Sequence, residues 1–122
     1  MPLDLEAVVY AALASGSPST DAGTKVYPNE APQGTLAPYV VYSRAATAPV
    51  NALDGHCGLD NVRLQLDCYA TDKLAAKRLA RQVRTLLQGS DAKALPVGEY
   101  DDRDPDTGFF RHIVDMSCWE KF

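Results

Sequence analysis

The 122-residue sequence predicts an α+β fold, with a curved and mainly antiparallel sheet of about four to five strands and two helices packed on one face. Two segments carry apolar residues at helical spacing, and other segments alternate or are rich in β-branched and aromatic residues. Most of the predicted strands follow one another without a crossover helix, which favours antiparallel pairing. The length suits a single domain over residues 1–122 with one hydrophobic core.

The first helix is predicted to begin at Leu5, because apolar residues recur along one side of it at helical spacing. These residues are Leu5, Val8, Val9, Ala12 and Leu13. Gly16 is expected to end the helix. A loop follows, and the apolar pair Val26-Tyr27 then predicts a short strand.

Two strands are predicted in the middle of the chain. Residues 39–44 carry β-branched and aromatic side chains on both alternating faces, so this strand is expected to be central or covered on both sides. Residues 45–58 follow neither period and include Pro49, which predicts a loop. From Val62 to Tyr69, apolar and polar residues alternate strictly, which predicts a strand with one buried face. The residues expected on that face are Val62, Leu64, Leu66 and Cys68.

The second helix is predicted to follow Thr71 or Asp72, either of which can accept a hydrogen bond from a free amide of the first turn. Gly89 is expected to end it in a left-handed conformation. The apolar residues expected on its buried side are Ala76, Leu79, Val83, Leu86 and Leu87.

Four cations line another side of this helix, and we call them the basic ridge. They are Lys73, Lys77, Arg81 and Arg84. A solvated helix face explains such a ridge, and so does contact with an acidic neighbouring subunit. Phosphate contact is the weakest of the three interpretations, because no aromatic residues are interleaved with the cations for base stacking.

The last third of the chain predicts a hairpin, with strands at residues 97–102 and 109–119 joined by a turn at residues 103–108. We call four of its residues the acidic turn: Asp101, Asp102, Arg103 and Asp104. The sequence from Asp104 to Gly108, Asp-Pro-Asp-Thr-Gly, is typical of a solvated turn, and an acidic docking surface is the alternative. The cluster of Asp101, Asp102, Asp104 and Asp106 also suggests a calcium site or a general acid. It lacks the glycine at the sixth position and the distal glutamate of an EF-hand loop, and a strand hairpin rather than two helices surrounds it.

The charge balance argues against several partners. With 12 Lys and Arg against 16 Asp and Glu, the net charge of -4 is unsuited to sequence-blind sliding on DNA. No apolar run approaches the roughly 20 residues that cross a bilayer, and Asp4 and Glu6 do not fit a secretory signal. We therefore expect a soluble protein that begins in the cytoplasm and has no membrane partner.

No catalytic residue, metal site or cofactor is predicted. The side chains of neighbours such as His56 and Cys57 seldom meet, and catalytic partners usually come from distant segments. Together with His112 and Cys118, they lack the short fixed spacing of a zinc site. His112 is expected to be a buried core or interface histidine, and Cys68 and Cys118 are expected to be buried thiols. The glycines form no phosphate-binding loop.

The predicted N-terminal helix is followed by Pro38-Tyr39-Val40-Val41-Tyr42, Leu53-Asp54-Gly55 and Val62-Arg63-Leu64-Gln65-Leu66-Asp67-Cys68-Tyr69-Ala70, then by a helix and the hairpin from Tyr100 to Trp119. Over most of the chain, this order resembles a family of small bacteriophage and prophage tail-completion proteins, also called tail terminators. The resemblance implies a structural protein of the virion, placed at the head-proximal end of the tail after assembly in the host cytoplasm.

The resemblance also implies partners. Members of the family form a ring, usually a hexamer, that caps the tail tube, ends its polymerisation and joins the head completion proteins, while DNA passes through the lumen without specific binding. We hypothesise that the basic ridge meets the acidic turn of a neighbouring copy, and that Leu53-Asp54-Gly55 reaches the tube or the head connector. Another head–tail connector or a minor tail component is the alternative. A small metal-dependent hydrolase is a remote one, and it predicts a cleft joining the histidines to the acidic turn.

Overall fold

The computed structural model describes residues 5–14, 20–23, 25–52, 55–90 and 94–121. Within these residues the chain forms two helices and five strands. In chain order they are α1 (Leu5–Ala14), β1 (Val26–Pro28), β2 (Tyr39–Ala52), β3 (Gly55–Ala70), α2 (Lys73–Gln88), β4 (Leu95–Arg103) and β5 (Phe110–Lys121).

The five strands form one open sheet in the order β1-β2-β3-β5-β4. All neighbouring pairs are antiparallel except β1 and β2, which run parallel with Val26 opposite Val40. The predicted α+β class is therefore confirmed. The expectation that strands without a crossover helix pair antiparallel is wrong for β1 and β2. The irregular connection over residues 29–38 is long enough to bring the chain from the end of β1 back beside its beginning, so β2 runs in the same direction as β1.

The hydrophobic core lies between one face of the sheet and the two helices, as predicted. The alternation in β3 buries its predicted face completely, and antiparallel pairing with β5 places Val114 and Met116 beside Leu66 and Leu64. The helices contribute α1 residues Leu5, Val9 and Leu13 and α2 residues Ala76, Leu79, Ala80, Val83 and Leu87 to the buried set. The alternate residues of the strands and the apolar sides of the two helices thus pack together in a single hydrophobic core.

The opposite face of the sheet is partly covered as well. Tyr39 and Val41 are buried on this face, while Val40 and Tyr42 are buried on the helix side, which confirms the prediction of cover on both sides. The rings of Tyr39 and Tyr69 stack with centroids 4.5 Å apart across β2 and β3.

The predicted boundaries of α2 are confirmed, with one correction. Asp72 Oδ1 accepts a hydrogen bond from the amide of Ala75 at 2.8 Å, which caps the first turn. Gly89 follows the last helical residue, but its φ of -89° is not left-handed. Its N–H instead bonds back to the carbonyl of Thr85, so the end of the helix needs no special backbone conformation. The predicted end of α1 at Gly16 lies outside the described residues.

The prediction of a loop over residues 45–58 is wrong. β2 continues to Ala52 and β3 begins at Gly55, so both strands extend into a long hairpin. The side chains from Ala45 to Pro49 are exposed, which shows that neither helix covers this part of β2. Because residues 45–49 have neither face buried, this part of the sequence carries no apolar alternation, and backbone hydrogen bonds to β3 alone define the strand. Leu53 and Asp54 lie outside the described residues, as do the side chains of His56 and Cys57.

Arg44 joins three elements at the point where this hairpin leaves the core. Its guanidinium donates to both carboxylate oxygens of Glu6 in α1, at 2.9 and 3.1 Å, and to Oε2 of Glu120 in β5 at 2.8 Å. The backbone amide of Leu5 donates to the same Glu120 oxygen at 3.2 Å. The hydrogen bonds to Glu120 and Glu6 raise the pKa of Arg44, and the arrangement fixes the start of α1 to the sheet.

We expect Arg44→Met to lower the free energy of unfolding by about 2 kcal/mol, because it leaves two partly buried carboxylates without their charged hydrogen-bond donor. Urea denaturation at neutral pH measures the change. Arg63→Met is the matched control, since Arg63 is an exposed arginine on β3. Equal losses in the two variants would contradict a special role for Arg44.

Candidate assembly surfaces

The basic ridge runs along α2, but its four cations do not share one environment. Lys73 Nζ lies 3.7 Å from Asp101 Oδ2, and Arg84 donates to Glu99 Oε2 at 3.1 Å, so both ends of the ridge lean toward β4 of the same chain. Lys77 and Arg81 are exposed, and neither has an ion-pair partner within the described part of the chain. The ridge therefore offers two cations, rather than four, to another molecule.

His112 lies between the two acids that hold the ends of the ridge. Its Nδ1 is 2.5 Å from Asp101 Oδ1, and its Nε2 is 3.6 Å from Glu99 Oε1. The histidine is buried, as predicted for this strand face. The hydrogen bond with His112 is the main reason that the pKa of Asp101 is lowered. The edge strand β4 is thus attached to β5 and α2 through one linked group of charges.

The prediction of a locally satisfied turn at residues 104–108 is confirmed. Asp104 accepts hydrogen bonds from the amide of Asp106 and the hydroxyl of Thr107, both at 3.0 Å. Its own amide donates to the carbonyl of Phe109 at 2.9 Å, and Gly108 has a φ of +76° that suits glycine. These local hydrogen bonds account for the Asp, Thr and Gly residues of the turn, and no bound ion is needed to explain them.

The other members of the acidic turn are engaged within the chain as well. Asp102 Oδ2 lies 3.6 Å from a guanidinium nitrogen of Arg111. The Arg103 guanidinium lies 5.4 Å from the centre of the Phe110 ring, within cation–π distance. The structure therefore gives Asp101, Asp102 and Arg103 partners on the protein itself, and this reduces what the turn has left for a neighbour.

An acidic groove on the sheet face away from the helices was not predicted from the sequence. It has a volume of about 690 Å³ and lies between the loop over residues 29–36 and the turn of the last hairpin. Tyr39, Val41, Asp67 and Tyr69 form its floor. Tyr39 and Tyr69 become neighbours only through the register of β2 and β3, so no local sequence signal marks the site.

The charge of this groove is one-sided. Its lining includes four carboxylates and no lysine, arginine or histidine: Glu30, Asp67, Asp104 and Asp106. Asp67 is the most enclosed of them, and burial raises the pKa of its carboxyl. Gln65 donates to its Oδ1 at 3.0 Å, and Arg111 lies 3.9 Å from its Oδ2. The protein thus keeps an acid at a position where its charge is poorly solvated.

The described residues hold little that fits covalent chemistry. Cys68 and Cys118 are buried free thiols, as predicted. Burial raises the pKa of both, that of Cys118 to about 11, so neither is a thiolate at neutral pH. Among the residues that the structure describes, no group of three or more His, Cys, Asp or Glu side chains is placed to hold a metal ion. None of the described helices is long and apolar enough to cross a membrane.

Comparison with known proteins identifies the class. A family model described as "Tail completion protein gp17" matches residues 7–121, which is nearly the whole chain. The protein therefore belongs to this family of phage tail completion proteins and is a structural component of a phage tail. No curated protein matches the chain.

A solved structure shares the fold. A chain of the "Virion of native gene transfer agent (GTA) particle" superimposes with a TM-score of 0.68 at 22% sequence identity. The match covers 97% of this chain and 95% of that chain. At this identity the likeness establishes the common architecture of the two chains.

We expect Asp101→Asn to be less stable than the natural protein at pH 7. The hydrogen bond with His112 favours the charged carboxyl in the folded state, and this contribution is present above the unfolded pKa of about 3.9. It is lost as the pH falls through the lower folded value, so the two proteins should converge in acid. Urea denaturation as a function of pH measures this, with Asp106→Asn as the exposed control. Equal midpoints for the two variants at pH 7 would contradict the prediction.

We expect Asp67→Asn to have the opposite effect and to raise the urea midpoint at pH 7. Burial raises the pKa of Asp67, so its ionisation costs stability above the folded pKa, and the cost is absent below about pH 3.9. Asparagine keeps an oxygen for the Gln65 hydrogen bond and carries no charge. The same pH series tests this. A variant less stable than the natural protein at pH 7 would show that the contact with Arg111 outweighs burial.

Proposed function

We propose that this protein forms a closed ring, a hexamer by analogy with the family it resembles, on the head-proximal end of the tail tube. There it stops further polymerisation and presents a new surface to the head completion proteins. The observation that carries this proposal is the match to the tail completion family over residues 7–121. Ion pairs that join β4 to α2 and to β5 add support, because they hold the edge of the sheet in a defined position.

Self-association supplies a reason for an unusually bare edge of the sheet. All nine residues of β4 are exposed, and the strand has β5 on only one side, so its outer backbone groups face outward. Natural proteins cover, shorten or charge such edges, because an open edge pairs with other chains. Glu99, Asp101 and Asp102 charge this edge, and a ring would add cover from a neighbouring copy.

The charge of a ring fits the passage of DNA. Six copies of a chain with net charge -4 carry about -24 in total, which repels phosphates and opposes sequence-blind adhesion. The same repulsion acts between subunits, so specific contacts between opposite charges are needed to hold the ring together. We propose the basic ridge, through its free members Lys77 and Arg81, as one side of such a contact.

The long β2–β3 hairpin is the proposed contact with the tube or the head connector. In the sequence, Leu53-Asp54 separates the end of β2 at Ala52 from the start of β3 at Gly55, and the side chains from Ala45 to Pro49 are exposed along β2. Small and uncharged side chains, Ala45, Ala46 and Ala48 among them, let another backbone approach closely. An arm of paired strands also reaches a partner with less loss of entropy than a free loop of the same length.

Deletion of the gene from the phage or prophage that encodes it tests the proposal. We expect normal heads together with tail tubes of abnormal length, or tails that are not attached to heads, in negative-stain electron micrographs. Expression of the natural protein in trans should restore attached tails, which controls for effects on neighbouring genes. Particles with attached tails of normal length in the deletion strain would overturn the proposed function.

A further inference from the structure

We propose that the acidic groove of one copy receives Lys77 and Arg81 of a second copy of this chain, so that copies join head to tail. This inference rests on the proposed ring and specifies its subunit contact. On the acidic side of the contact hypothesised from the sequence, it replaces Asp101 and Asp102 with the groove, which keeps Asp104 of the acidic turn in its lining.

The groove has the chemistry that long cationic side chains require. Its carboxylates surround a floor of aromatic rings, in which Tyr39 stacks on Tyr69 at 4.5 Å and meets Phe109 edge to face at 6.3 Å. Aromatic faces accept the alkyl stems and charged heads of lysine and arginine, and carboxylates at the rim complete the ion pairs. Asp106 and Glu30 are exposed at that rim, and neither has an ion-pair partner among the described residues.

The complementary surface lies on α2. Leu74, Lys77 and Arg81 occupy positions i, i+3 and i+7, so they share one side of the helix. Leu74 is 79% exposed, which is unusual for leucine on a helix that buries its apolar side well. An apolar side chain beside two cations matches a groove that combines aromatic rings with carboxylates.

The same chain cannot satisfy its own groove with these cations, because the two surfaces lie on opposite sides of the sheet. α2 packs on the face that carries Leu64 and Leu66, while Asp67 and Tyr69 point to the other face. A contact between two different surfaces is heterologous, and it closes into a ring or continues as a filament. It does not stop at a two-fold dimer.

The charges within the chain explain why the groove, rather than Asp101 and Asp102 of the acidic turn, is the partner. Asp101 is held by His112 and Lys73, and Asp102 lies beside Arg111. A neighbour that paired with these acids would have to displace contacts already made within the chain. The rim of the groove requires no such exchange, because Glu30 and Asp106 have no ion-pair partner among the described residues.

Two charge-reversed proteins test the contact. The ridge-reversed protein carries Lys77→Glu and Arg81→Glu, and the groove-reversed protein carries Glu30→Lys and Asp106→Lys. Each protein alone places like charges at every contact. In a mixture, the acidic ridge of the first faces the basic groove of the second, and the basic ridge of the second faces the acidic groove of the first, so an even-numbered ring closes by alternation.

The readout is the yield of intact particles from the deletion strain, expressed with one variant, with both together, or with the natural protein. We expect either variant alone to lower the yield at least about tenfold and the two together to restore it. Restoration by the mixture also shows that both variants fold. Ala11→Glu adds a negative charge at an exposed position of α1, outside both surfaces and outside the β2–β3 hairpin, and is expected to restore particles like the natural protein.

The outcomes separate the contact from the proposed function. Full activity of either variant alone, or failure of the mixture when the Ala11→Glu control succeeds, would overturn the contact and leave the ring proposal standing. A deletion strain that makes normal particles without any added protein would overturn the proposed function itself. Sedimentation velocity of each purified variant alone and of the mixture gives a second measure. Only the mixture is expected to contain a species of the size of a ring.

Discussion

The structure depends on β3, the strand that pairs along its length with both β2 and β5. Its alternation sends one set of side chains into the core beneath the helices and the other set to the opposite face. A shift of one residue in either register would exchange Leu64 and Leu66 with Gln65 and Asp67, so burial of the apolar set fixes both neighbours at once. The positions of the groove and of the helix layer follow from this single constraint.

Electrostatic contacts within the chain then decide which charges remain for other molecules. Arg44 ties α1 and β5 to the base of the hairpin, and the group around His112 ties β4 to α2. Arg111 lies between Asp67 and Asp102 on the other face, with its buried Nε left without a hydrogen bond. After these contacts are made, the exposed members of the basic ridge and the rim of the groove are the opposite charges best placed to meet between copies.

An assembly protein of this size has to present several distinct surfaces from one domain. The sheet separates the groove from the helix layer, the bare edge of β4 lies along one side, and the β2–β3 hairpin extends from the core. The protein belongs to the tail completion family. Under the proposed function, these surfaces would serve contacts with its own copies, the tube and the next component. The proposed contact joins two surfaces on opposite sides of the sheet, so copies that used it would join head to tail.

The sequence by itself determined the fold class, the core face of β3, the buried stripe of α2 and the turn at Asp104, because each depends on periodicity or on turn chemistry within a few residues. It also carried the resemblance that led to the family. The extension of the hairpin over residues 45–58 was decided by tertiary structure, since exposed residues such as those at 45–49 leave no apolar pattern. The parallel pairing of β1 was decided there too, because the side chains of a strand do not encode the direction of its neighbour. The partners of Lys73, Arg84 and Asp101 and the groove at Tyr39 and Tyr69 were also decided there. These features join residues far apart in the chain, and only the register of the strands brings such residues together.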